Sequence, residues 1–146
     1  MMREIKFRGK RVDNGEWVYG GFHKHLKATP SPMGAGKPRE NDYAYLIIES
    51  GFSDWEMPRP IEAHEVIPET VGEFTGLRDK SGVEIYEGDV IKSFLGRVAV
   101  VEWEKEGRFL GFGADRSISY INREPTVEVI GNILDNPELL KGAPTS

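Results

Sequence analysis

Four acidic residues crowd one short stretch of the chain: Asp79, Glu84, Glu87 and Asp89. Gathered carboxylates can hold a hard cation through oxygen. Calcium loops, however, interleave their oxygen ligands at regular spacing, and this stretch does not. Its neighbours point to turn chemistry instead. Arg78-Asp79-Lys80-Ser81-Gly82 reads as one turn, with Gly82 suited to a left-handed backbone, and Ile85-Tyr86-Glu87-Gly88-Asp89 reads as a second bend. His23 and His25 stand at alternate positions, hence on one face of a strand, and with His64 would make a three-histidine metal set. Nothing in the sequence brings His64 to the other two. Ser, His and Asp are all present, but no Gly-x-Ser-x-Gly elbow accompanies them. Neither a P-loop nor a dinucleotide fingerprint occurs. The expectation is therefore no catalytic residue, no metal and no cofactor.

Two groups of residues are better suited to binding than to catalysis. Lys6, Arg8 and Lys10 alternate along the opening strand and form a basic stripe, with Trp17 and Tyr19 on the returning strand. Cations beside aromatic rings suit single-stranded nucleic acid, whose bases stack on the rings. The competing reading is an edge strand protected by charge with its aromatics turned to the core. Trp103, Phe109 and Phe112 are the second group, in the core or at the mouth of a small barrel; exposed aromatics at such a mouth take up extended peptides.

The composition limits the partners. Lys and Arg number 19 against 24 Asp and Glu, a net charge of −5, so nucleic acid would need a local patch. There is no cysteine, which removes disulfides, thiolate catalysis and cysteine-based zinc sites. A disulfide-free chain of this size suits a reducing cytoplasm. The first residues, Met1-Met2-Arg3-Glu4-Ile5-Lys6-Phe7, hold no apolar signal-peptide region, and no apolar run approaches the ~20 residues of a spanning helix. No membrane association is expected.

The elements that must position these residues are short strands. Glycine (17) and proline (9) interrupt the chain every few residues, between runs rich in Val, Ile, Phe, Tyr and Trp. Asp13-Asn14-Gly15 is a hairpin turn, and Gly20-Gly21 suggests a bulge or bend in the strand that follows. Residues 27–42 contain three prolines and two glycines and read as a flexible loop. Residues 43–49 are a buried strand, 61–67 a short strand or single turn, and 97–104 the most β-prone stretch. Residues 108–112 return along it, and the final strand lies within 126–134. Asn136 as cap, Pro137 and Glu138 open a short C-terminal helix that docks Leu139 and Leu140, and Gly142 stops it. The expected fold is mainly β. An N-terminal β unit occupies 1–69. A small SH3-like barrel or roll with a short helix occupies 70–146, with the N-terminal unit packed on it.

Three segments together resemble the YopX family of phage and prophage proteins. The first is Met2-Arg3-Glu4-Ile5-Lys6-Phe7-Arg8. The second begins Thr70-Val71-Gly72-Glu73-Phe74-Thr75-Gly76-Leu77. It continues through Asp79-Lys80-Ser81-Gly82 to Glu84-Ile85-Tyr86-Glu87-Gly88-Asp89-Val90-Ile91. The third is Val129-Ile130-Gly131-Asn132-Ile133, followed by Asp135-Asn136-Pro137-Glu138-Leu139-Leu140. The middle segment is the specific one. Gly9-Lys10 departs from the Ala-Trp that often follows the first strand. The resemblance implies a mainly β protein with an SH3-like C-terminal half, of bacterial or phage origin, in the cytoplasm. It brings no catalytic site. The expected function is a non-enzymatic binding or assembly module, with an unidentified protein partner or a second copy of itself. The alternative is a nucleic-acid-associated protein using Lys6, Arg8 and Lys10.

Overall fold

The computed structural model describes residues 4–27, 39–50, 55–93, 96–104, 108–112, 118–120 and 127–141. Most of the expected flexible loop, residues 28–38, lies outside the described residues. By its contacts the chain forms two compact units: residues 6–71, and residues 72–146 together with 1–5.

In the 6–71 unit, β1 (Phe7–Lys10), β2 (Trp17–Leu26), β3 (Tyr43–Ser50) and β4 (Ile61–Glu65) pair antiparallel in chain order. The first hairpin closes as its residue types require. Gly15 takes φ 71°, its N–H donates to the Arg11 carbonyl, and the Asn14 side chain accepts the Glu16 N–H at 2.9 Å. Strand alternation sends Val18 and Ile47 to one face, where with Val66 they form a core flanked by Phe7, Phe22, Tyr45 and Val71. The sheet curls until its two ends touch. Arg11 bridges Val66, the Val12 N–H donates to the Glu65 carbonyl, and the Ile67 N–H donates to the Lys10 carbonyl. The approach requires a glycine: a methyl group at Gly9 would sit 3.0 Å from Val66. The partner of β2 changes at Gly20 and Gly21: β1 pairs with it as far as Gly20, and β3 pairs with it from Gly21 onward. Gly20 is needed because a methyl group there would run into the Ile48 carbonyl oxygen.

In the other unit, β5 (Gly72–Arg78) and β6 (Glu84–Tyr86) form a hairpin. Its register shifts between Phe74 and Arg78, where Gly76 takes φ 85° and the Thr75 hydroxyl replaces a ladder bond. That hydroxyl donates to the Ile85 carbonyl at 2.8 Å and accepts the Leu77 N–H at 3.1 Å. Then come β7 (Asp89–Ser93), β8 (Val98–Glu104), β9 (Arg108–Phe112), β10 (Ile118–Tyr120) and β11 (Val127–Asn132). They make one antiparallel sheet in the order β10-β9-β8-β7-β11. The fold is mainly β, as expected. Among the described residues β10 and β11 do not pair with each other, so this sheet is open rather than a closed barrel. Ile85, Ile91, Ala99 and Val101 form its core with Leu77, Val127 and Val129 against them. The terminal helix α1 (Glu138–Lys141) lies against β8. The Asn136 carbonyl accepts the Leu139 N–H at 3.1 Å at the start of the helix. The Asn136 side-chain oxygen faces backward to the Asn132 N–H at 3.4 Å, tying the end of β11 to the turn.

Candidate functional site

The basic stripe is present, with its own chain as its partner. Lys10 stands opposite Trp17 and Arg8 opposite Tyr19. The Arg8 guanidinium lies 4.6 Å from the centroid of the Trp17 ring and the Lys10 ammonium 5.4 Å from it. Such contacts are attractive because the ring face is negative. Arg8 is only 7% exposed, and Lys6 and Lys10 are half-buried.

Of the second group, Trp103 is 45% exposed at the end of β8. Register sets Phe109 opposite Trp103 and Phe112 opposite Val100. Positions 100 and 103 have opposite parity in the strand, so the three aromatics do not share one row. The side chains of Phe109 and Phe112 lie outside the described residues.

The acidic stretch is built for turns. One oxygen of Asp79 accepts the N–H groups of Ser81 and Val83 at 2.8 and 2.9 Å; the other accepts that of Val129 at 3.0 Å. Burial pushes the Asp79 carboxyl upward, yet the N–H groups of Val129, Val83 and Ser81 outweigh it and hold it below its ordinary 3.8. Asp89, also buried, accepts the Tyr86 N–H at 2.7 Å. Glu84 lies 3.5 Å from Arg78 and accepts the Tyr86 hydroxyl at 3.3 Å. Asp79, Asp89 and Glu84 thus serve different local ends.

The histidines divide. His23 and His25 share one face of β2, with ring centroids 6.0 Å apart. His64 stands opposite Ile47, and Ile47 opposite Phe22, a row of the other parity. There His64 meets two residues that sequence reasoning missed. Its Nε2 is 2.7 Å from Glu49 Oε1 and 3.7 Å from Glu62 Oε2. Glu49 and Glu62 are direct cross-strand partners. The available signal was the Glu62-Ala63-His64 alternation, which puts both side chains on one face once β4 is read as a strand.

β4 also offers a free edge. Its Val66 end donates an N–H to Tyr45 of the β3 side, and the Glu65 carbonyl points the other way, to Val12. Antiparallel alternation then turns the N–H and C=O groups of Ile61 and Ala63 away from β3. Among the described residues nothing pairs with them. Ile61 is 78% exposed, and Trp55, just before the strand, is 95% exposed.

Among the described residues no helix is long and apolar enough to cross a membrane. No curated protein matches the chain. Among solved structures it is similar to protein EF1440 from Enterococcus faecalis. The identity is 20% and the TM-score 0.49, with 95% of this chain and 99% of that one covered. The model of the family described as YopX protein matches residues 6–141. That match spans the two N-terminal hairpins, the Asp79 turn and the terminal helix alike, and the chain belongs to the YopX family.

Proposed function

We propose that this chain is a non-enzymatic binding or assembly module, phage- or prophage-derived and acting in the bacterial cytoplasm, and that its partner adds an extended segment to β4. One observation carries the reading. The outward N–H and C=O groups of Ile61 and Ala63 form an edge that begins at exposed Ile61, and Trp55, six residues earlier in the chain, is exposed as well. Backbone groups of this kind supply affinity for an added strand, and flanking apolar side chains supply contact area. We read residues 72–146 as an SH3-like roll, because β7 to β10 run as a meander and β11 returns to pair with β7. The nucleic-acid reading through Lys6, Arg8 and Lys10 has less support, since Trp17 already carries two cations of its own chain.

The test is cross-linking and capture from host lysate, with and without nuclease, using wild type, Ala63→Pro and Trp55→Ala. Proline at position 63 removes an outward N–H while leaving the β3–β4 ladder intact. A nuclease-resistant partner that both variants lose supports the reading. Equal capture by all three, or turnover of a substrate by the purified chain, refutes it.

A further inference from the structure

We propose that Glu49, Glu62 and His64 form a binding site for a divalent transition-metal cation of the zinc type. The ligand atoms, two carboxylate oxygens and the imidazole Nε2, all lie within 4.8 Å of one another. Ligands bound to one such ion at about 2.0–2.2 Å stand roughly 3–4 Å apart. Nε2 already lies 3.7 Å from Glu62, and the 2.7 Å contact with Glu49 is a hydrogen bond that a cation would replace.

The parts differ in rigidity in a useful way. His64 stands opposite fully buried Ile47, and its side chain is 14% exposed, so packing fixes the ring. The carboxylates are 37% and 52% exposed and have room to rotate onto an ion and admit water. Two carboxylates placed directly opposite on neighbouring strands repel each other. A divalent cation held between them would offset that repulsion. A nitrogen with two oxygens favours zinc-like ions over calcium or magnesium, which prefer all-oxygen shells. Three protein ligands leave the fourth tetrahedral position to water. The proposal does not depend on the docking role of β4.

The test is calorimetric titration of the full chain with ZnCl2, and with CoCl2 for its visible absorption. The variants are Glu49→Gln, Glu62→Gln, His64→Ala and, as a control, His23→Ala/His25→Ala. The expected result is one ion per chain, tetrahedral cobalt bands, and affinity weakened at least tenfold in the first three variants but unchanged in the control. Glu62 is more than half exposed, so Glu62→Gln keeps the fold and decides the matter even if His64→Ala does not. No binding to wild type, or binding lost in the control and kept in Glu62→Gln, overturns the proposal and leaves an ion pair only.

Discussion

Replacing Asp79 by alanine deprives three backbone N–H groups of one carboxylate. Two belong to exposed residues, Ser81 and Val83, where water takes over at a cost of about 0.5–1 kcal/mol each. The third belongs to Val129, which packs on the core beside Ile85 and Val101. Losing a charged partner there costs about 1.5–3 kcal/mol. Together the expected loss is about 2.5–5 kcal/mol, or roughly 5–20 °C in Tm for a chain of this length. Urea unfolding of wild type and variant measures it as a lower midpoint at an unchanged slope. A second readout follows from the depressed carboxyl. Because the folded state holds Asp79 ionised more strongly than the unfolded state does, its contribution is complete above the unfolded value, about 3.9. It is lost as the pH falls through the lower folded value. The gap between wild type and Asp79→Ala should therefore be constant from pH 7 to about pH 5 and shrink below about pH 4. A loss under about 1 kcal/mol at pH 7 would refute the clip as a principal tie in this unit.

Other substitutions probe other ties. Thr75→Val keeps the shape of the side chain but abandons the Ile85 carbonyl and the Leu77 N–H; it should cost about 1.5–3 kcal/mol by the same urea assay. Gly20→Ala should cost about 2–3 kcal/mol, because the obstacle is backbone, the Ile48 carbonyl. Gly131→Ala should cost less, since it meets side chains rather than backbone: Leu139 can turn aside, and Asn136 moves at the loss of its bond to the Asn132 N–H. Ala63→Pro should change stability by no more than about 1 kcal/mol, as the amide it removes faces outward.

Local chemistry made much of this fold readable. Asp13-Asn14-Gly15 and Asp79 to Gly82 close turns because their residues tolerate or hydrogen-bond those backbones wherever they occur. Mainly β architecture followed from the same punctuation. The role of Gly20 in the close approach to Ile48 was not legible, since such a glycine looks in sequence like one at a bulge or bend. β10 went unseen: three residues are too few for alternation to register. The Glu49, Glu62 and His64 cluster depends on a register between β3 and β4 that no local pattern specifies. The same holds for the pairing of Arg8 and Lys10 with Trp17. The residue types were legible as a basic and aromatic strand pair, but burial of Arg8 is a tertiary outcome.

The return of β11 to β7 bears on how the chain folds as it is made. Asp89, the first residue of β7, pairs with Asn132, and the Asp79 side chain waits for the Val129 amide 50 residues further on. At about 5–20 residues per second, the segment between Asp89 and Val129 takes on the order of 2–8 s to synthesise. During that interval β7 has β8 on one side and an open edge on the other. The nascent chain is most exposed to wrong strand pairing then, and arrest of synthesis before Val129 should leave a fragment that aggregates.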